Sequence, residues 1–291
     1  MTTDSPLTLR AALEAGTTTL SEAGIVDAAV DAELLAAHVL DLSRGALQAA
    51  AVTGRELTPR EVAALDDVLA RRAERVPLQH ITGLAPFRHL ELAVGPGVFV
   101  PRPETEILAE FAIDALVASP SPHPLAVDLG TGSGAIAIAM ATEVPHARVV
   151  AVERSADAHR WAARNVARLT DGNLELRHGS FADALDDLNG TVSVVASNPP
   201  YVPAGAIPRD PEVRLHDPRE ALYSGEDGLD DIRTISQVGL RLAHSGGMIV
   251  LEHGEWQGQG VRDILIAEGW VAAATHPDLT HRDRVTTAVR P

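Results

Sequence analysis

Apolar residues recur at helical spacing through the first quarter of the chain. Residues 7–15 read as one helix and 31–42 as a second, with Leu34, Leu35, Val39 and Leu42 along one face. A third begins at Thr58, which can cap, with Pro59 at the first helical position. Glu61 completes a capping box ahead of Val62, Leu65, Val68 and Leu69. Amphipathic stripes of this kind predict a small helical bundle. Between Pro77 and Pro103 the pattern changes to short strands punctuated by Gly and Pro, 87–94, then Gly95-Pro96-Gly97, then 98–100, which predicts a hairpin connector. A helix is expected over 107–117, followed by the surface loop Ser119-Pro120-Ser121-Pro122-His123-Pro124. From there, short apolar runs alternate with helical patterns. Strands are expected at 125–129, 148–153, 174–178, 192–197, 247–252, 270–275 and 285–290. The alternation predicts a mostly parallel sheet with helices on both faces and a ligand site at the carboxyl ends of its strands. The last two strands are separated by only about ten residues, too few for a helical crossover, and are expected to pair antiparallel.

At 291 residues there is room for one large domain and a small one, and 45% hydrophobic content is ample for a core. The apolar segments are short and broken by charge. Met1-Thr2-Thr3-Asp4-Ser5-Pro6 lacks the basic start and apolar stretch of a signal peptide. A soluble, cytoplasmic protein with no membrane association is therefore expected. The absence of Cys excludes disulfides and thiolate-held metal, and the His residues show no HExxH-type spacing, so no metal is expected. The formal net charge is −16, and every basic side chain other than His is an Arg. That balance argues against affinity won by neutralising many phosphates, and no direct nucleic-acid partner is expected.

Two motifs carry the chemistry. Asp128-Leu129-Gly130-Thr131-Gly132-Ser133-Gly134 ends the first strand of the alternating region and opens a helix. Glycines let the backbone pass close beneath a ligand, and the helix N-terminus supplies N–H donors. The run Gly130-x-Gly132-x-x-Ala135 also fits a dinucleotide fingerprint. Glu153, at the end of the next strand, can hold ribose hydroxyls in either case, so the cofactor stays open on this motif alone. The second motif, Ser197-Asn198-Pro199-Pro200-Tyr201, ends the apolar run Val192-Ser193-Val194-Val195-Ala196. Its prolines lack N–H groups and hold the preceding residues extended. The Asn198 side-chain oxygen and the Pro199 carbonyl can together receive both hydrogens of an –NH2 group, while the Tyr201 ring packs on the planar group that bears it. The same residues also suit an ordinary proline-rich loop leaving a strand. With both motifs at one edge of the sheet, a methyl donor and an –NH2 acceptor would meet there.

In this combination the chain resembles the S-adenosylmethionine-dependent methyltransferases of the amino-nitrogen type. It is closer to the release-factor glutamine methyltransferases, the PrmC/HemK family. Besides the two motifs, the resemblance rests on Asp31-Ala32-Glu33-Leu34-Leu35, Pro77-Leu78-Gln79-His80-Ile81-Thr82-Gly83, residues 100–106 with Pro101-Arg102-Pro103-Glu104-Thr105-Glu106, Leu251-Glu252-His253-Gly254 and Asp283-Arg284-Val285-Thr286. It implies an α/β fold with a Rossmann-like class I methyltransferase sheet, mostly parallel with an antiparallel last strand, and a small N-terminal helical bundle joined by a β-hairpin. The implied domains are a substrate-docking bundle over 1–76, the connector over 77–103 and the methyltransferase domain over 104–291. The implied reaction moves the sulfonium methyl of S-adenosylmethionine to the side-chain amide nitrogen of the glutamine in the Gly-Gly-Gln loop of class I peptide chain release factors. Gly130, Thr131, Gly132, Ser133 and Gly134 would line the methionine part of the donor, Glu153 its ribose and Phe181 its adenine. Asn198 would border the donor and, with Pro199, grip the amide, Pro200 and Tyr201 completing the acceptor pocket. Two departures stand out: Glu153 occupies a place where the family often has Asp, and Ser180 one where an acid commonly precedes the aromatic residue. Arg102, between two prolines, has no role at this level. An adenine methyltransferase of nucleic acids shares the Asn-Pro-Pro-Tyr turn but would need a base taken out of its stack and a basic surface. A nicotinamide-dependent oxidoreductase would explain the glycine loop and leave residues 198–201 without a purpose.

Overall fold

The computed structural model describes residues 7–291. The stretch Met1-Thr2-Thr3-Asp4-Ser5-Pro6, which carries the signal-peptide reading, lies outside them. The chain divides into two units, Met1–Gly83 with Arg209–His216, and Leu84–Pro208 with Asp217–Pro291.

The helical unit holds α1 (Leu9–Glu22), α2 (Ala28–Leu40), α3 (Arg44–Val52), α4 (Pro59–Ala73) and α5 (Leu78–Thr82). Three of these helices have a local cause at their start. Thr8, Ser43 and Thr58 cap α1, α3 and α4 through their hydroxyls, and at α4 the Glu61 carboxylate accepts the Thr58 N–H at 2.8 Å, closing the expected capping box. Helix α1 runs past residue 15 through Thr17, Thr18 and Thr19, whose hydroxyls each donate to the carbonyl four residues back. Leu9, Leu20, Leu35 and Leu47 are fully buried at the centre of this unit.

A buried ionic network closes the unit. Arg72 on α4 donates to Asp31 at 2.7 Å and to Glu212 at 2.7 Å, and Arg75 donates to the other Glu212 oxygen at 2.9 Å. Glu212 belongs to the segment Arg209–His216, which returns to the helical unit from far along the chain. Arg72→Ala leaves Asp31 without the cation it accepts from and Glu212 with only Arg75. It should cost about 3–5 kcal/mol, the range for removing one partner of a buried pair. Urea denaturation checks this, and a loss near that of an exposed ion pair would refute it.

The second unit begins with a hairpin, β1 (Leu84–Phe87) and β2 (Leu90–Ala93), followed by α6 (Thr105–Val117). The alternating part then runs β3 (Leu125–Leu129), α7 (Ala135–Glu143), β4 (Arg148–Glu153), α8 (Ala156–Leu169), β5 (Leu174–His178) and β6 (Val192–Ser197). After the excursion of α9 (Pro211–His216) into the helical unit it continues with α10 (Asp230–Leu242), β7 (Ala243–Glu252), α11 (Gly258–Glu268), β8 (Val271–Pro277) and β9 (Asp283–Val289). The seven-stranded sheet has the order β5-β4-β3-β6-β7-β9-β8. Neighbours pair in parallel up to β7, while β9 runs antiparallel to both β7 and β8, so the expected antiparallel last strand is present. All of β6 is buried, as its near-continuous apolar run requires of a strand covered on both faces.

The hairpin differs from its expected register. It turns at Arg88-His89, with Arg88 in the left-handed region and its guanidinium held by Glu143. Gly95 lies against the Trp161 ring, where a Cβ would stand 2.5 Å from the nearest ring atom, and the Trp161 indole donates to the Pro96 carbonyl. The glycines there serve a close crossing over α8, in a turn at Pro96-Gly97 that no paired strand follows. Among the described residues, no helix is long and apolar enough to cross a membrane.

Candidate active site

The glycine loop leaves β3 with Gly130, Gly132 and Gly134 all at positive φ, a region that favours glycine. Nothing lies within 4 Å of where a Cβ would stand on Gly130 or Gly132, so the loop presents a bare backbone to open space. The N–H groups of Gly130 and Thr131 both donate to the Val152 carbonyl, fastening the loop to β4. Asp128 is fully buried. Its Oδ2 accepts from the Thr131 hydroxyl at 2.6 Å and the Ala137 N–H at 3.2 Å, while its Oδ1 has no partner. Burial pushes this carboxyl up to about 7, against the two hydrogen bonds.

Glu153, at the tip of β4, accepts the Gly132 N–H on one oxygen and the Ser155 N–H on the other, each at 2.8 Å. Its carboxylate is thereby fixed beside the loop, and each oxygen keeps a further lone pair. Phe181 follows β5, the strand beside β4, half-buried against the core. An open, side-chain-free cradle with an orphaned buried carboxyl oxygen and a fixed acid at the next strand end fits the S-adenosyl group that the sequence implies.

On the other side of β3, Ser197 at the end of β6 donates to the Leu129 carbonyl at 2.6 Å and brings the Asn198 turn beside the glycine loop. The Asn198 amide donates through Nδ2 to the Thr105 hydroxyl at 3.1 Å. That bond assigns the orientation of the amide and leaves Oδ1 as the end without a donor. Neither Asn198 Oδ1 nor the Pro199 carbonyl accepts a hydrogen bond from the described residues. Tyr201 donates its hydroxyl to Glu252 Oε1 at 3.3 Å, and Gln257 donates to the Tyr201 carbonyl at 3.0 Å. Gly228 lies under the same carbonyl, where a Cβ would stand 2.3 Å from it.

Glu252, buried at the tip of β7, has its carboxyl pushed up to about 7 by burial, against the Thr105 hydroxyl, the Arg284 charge and the Tyr201 phenol. Burial, and then the nearby Glu252 charge, raise the Tyr201 phenol, which stays a donor. His253 is buried, with Nδ1 at 2.9 Å from the Gly254 carbonyl and Nε2 at 2.8 Å from the Thr286 hydroxyl. Burial lowers its pKa, and the neutral ring with its proton on Nδ1 satisfies both contacts.

A family model described as the PrmC N-terminal domain matches residues 11–83, and one described as a precorrin methyltransferase domain matches residues 110–195. The release factor glutamine methyltransferase of Streptomyces coelicolor is 48% identical, the match covering 96% of this chain and 97% of that protein. That of Mycolicibacterium smegmatis is 43% identical over 97% and 98%. The chain belongs to the release factor glutamine methyltransferases. The 4-amino-L-phenylalanine/4-methylamino-L-phenylalanine methyltransferase of Streptomyces pristinaespiralis is also similar, at 41% identity over 100% of this chain and 97% of that protein. Among solved structures, a Thermus thermophilus 16S rRNA methyltransferase in complex with AdoMet and guanosine shares the fold, with a TM-score of 0.51 at 19% identity over 72% of this chain and 50% of that one.

The structure brings the expected residues to one sheet edge and adds others. Thr105, from the Pro-Arg-Pro-Glu-Thr-Glu segment, turns the Asn198 amide, while Glu252 receives Tyr201. Asp128, Glu153 and Glu252 share a signature visible in the sequence, an acid at the end of a buried apolar strand, and of the three only Glu153 has a neighbouring motif that gives it a role at that level. Thr105 has no such signal, since its partner lies 93 positions away. Arg102 gains a role: it pairs with Asp217 at 3.0 Å and lies over the Phe99 ring. It thus anchors the point where the chain re-enters the second unit after Arg209–His216.

Proposed function

We propose that this protein transfers a methyl group from S-adenosylmethionine to the side-chain amide nitrogen of the glutamine in the Gly-Gly-Gln loop of class I peptide chain release factors, in the cytoplasm, and so modulates translation termination. The observation that carries the reading is the Asn198 turn. With its Nδ2 held on Thr105, the Asn198 oxygen and the Pro199 carbonyl are two acceptors without internal donors, at the end of the strand beside the glycine loop.

Bound S-adenosylmethionine would supply an electrophilic methyl on a sulfonium, whose S–CH3 bond breaks as the N–CH3 bond forms, leaving S-adenosylhomocysteine. Gly130, Thr131, Gly132, Ser133, Gly134, Glu153 and Phe181 are the residues that would hold it. An amide nitrogen is a poor nucleophile because its lone pair is delocalised into the carbonyl. Asn198 and Pro199 accept its two hydrogens, draw them aside and hold the lone pair in one direction. Orientation of this kind supplies up to roughly 7–11 kcal/mol of barrier reduction, and aimed acceptors stabilise the charge that develops on the N–H groups. Once methylated, the nitrogen is acidic and loses its proton without a strong base. Pro200 and Tyr201 wall the acceptor side. The helical unit serves as the docking module, because a glutamine presented on a short loop reaches the turn only if the body of its protein is held nearby.

The relative that acts on an aromatic amine sets the competing acceptor. Intact release factor, 4-amino-L-phenylalanine and adenine-containing DNA offered separately with labelled donor separate the readings: label should pass to the release factor alone. Transfer to the amino acid and not to the factor would replace the acceptor assignment.

A further inference from the structure

In the catalytic unit the three most exposed large apolar side chains among the described residues are Leu279 (91%), Trp256 (86%) and Ile207 (73%), against 64% for the next, Val117. All three stand at the same edge of the sheet. Ile207 follows the Asn198 turn that ends β6, and Trp256 is in the turn after β7. Because β9 runs antiparallel to β7 and its Val285 pairs with Glu252, the connection from β8 to β9, which carries Leu279, also emerges at the carboxyl edge. The donor residues sit at the ends of β3, β4 and β5. These three come from β6, β7 and β9, the acceptor half.

Their loops are fastened to the turn. Gln257, next to Trp256, donates to the Tyr201 carbonyl, and Glu255 lies 4.0 Å from Arg282 across to the Leu279 loop. The backbone N–H groups of Val202 and Ala204 tie the segment before Ile207 to Leu222 and Gly225. Large apolar side chains this exposed, on loops held around one entry, are suited to meet a partner, and Trp is among the residues enriched as interface anchors. A small amine would enter the turn without needing them, whereas a folded protein that inserts one loop must rest on whatever surrounds the entry.

We propose that Ile207, Trp256 and Leu279 form an apolar rim on which the body of the protein acceptor rests while its glutamine loop enters at Asn198. The inference rests on the protein-glutamine reading above. Glu255 and Arg282 face each other, so the contact is mainly apolar and its strength should depend little on salt.

Full-length Trp256→Ser and Leu279→Ser test it in steady-state assays with intact release factor; both side chains are exposed, so the fold is not at stake. Each should raise KM for the factor by about tenfold or more, the scale of an interface anchor, with kcat and the dissociation constant of S-adenosylmethionine unchanged, and Trp256→Phe should recover most of the loss. An unchanged KM in both variants overturns the rim. So does a fall in kcat without a rise in KM, which would make the side chains supports of the turn. A wild type that leaves every release factor unmethylated overturns the functional reading itself, and the rim with it.

Discussion

Asn198→Ala should lower kcat by on the order of 10²–10³, the cost of removing one aimed hydrogen-bonding group from a preorganised site, while S-adenosylmethionine binds nearly as before. The asymmetry follows from the geometry. The donor cradle is built by the loop after β3, which is fastened to Val152, Asp128 and Glu153 and takes no hydrogen bond from the Asn198 side chain. In the proposed mechanism the Asn198 oxygen acts on the amide hydrogen of the acceptor. Thr105→Val keeps that oxygen but removes the partner that fixes the amide, and should reduce kcat in the same direction by less. Calorimetry for the donor and a turnover assay with release factor separate binding from chemistry. Near-normal turnover of Asn198→Ala would remove the turn from the mechanism.

The second large effect is a dependence on pH. Glu252 receives the Tyr201 hydroxyl and neighbours the Thr105 hydroxyl that turns Asn198, and it does both best as a carboxylate. The charged groups acting on it are Arg284 on β9 and Glu104 at the start of α6. Burial raises its pKa to about 7, so the carboxylate form is present above that value and is lost as pH falls through it. At saturating donor and acceptor, kcat should therefore fall on the acid side of about pH 7. Glu252→Gln should be slow at all pH values and lack that limb. Asp128, whose pKa is also raised to about 7, lies on the donor side, and its titration belongs to donor affinity and not to kcat at saturation. A mutant that keeps the wild-type acid limb would assign it elsewhere.

The central strands were legible because buried parallel strands are written as near-continuous apolar runs, which β3, β4 and β6 follow, while the edge strand β5 shows the alternation Leu174-Glu175-Leu176. The glycine loop and the Asn-Pro-Pro-Tyr turn were legible because each concentrates residues with few other uses. Helix α3 was not, since Leu47 is the one side chain it buries and no stripe marks it; the Ser43 cap is its only local sign. Helix α9 was not, because the ion pairs that place Glu212 are made with Arg72 and Arg75, well over a hundred positions away. The hairpin register slipped for a related reason. Gly95 looks like a turn residue in sequence and answers instead to the Trp161 ring. Thr105 and Glu252 belong to the same class, side chains whose chemistry comes from partners that only the tertiary fold supplies.

The most direct measurement is mass spectrometry of an intact class I release factor after incubation with this protein and S-adenosylmethionine, with fragmentation to locate the added methyl. The proposed function predicts one methyl on the side-chain amide nitrogen of the Gly-Gly-Gln glutamine with the wild type, and none with Asn198→Ala. A methyl on any other residue of the factor, or an unmodified factor from a wild type that binds the donor, would contradict it.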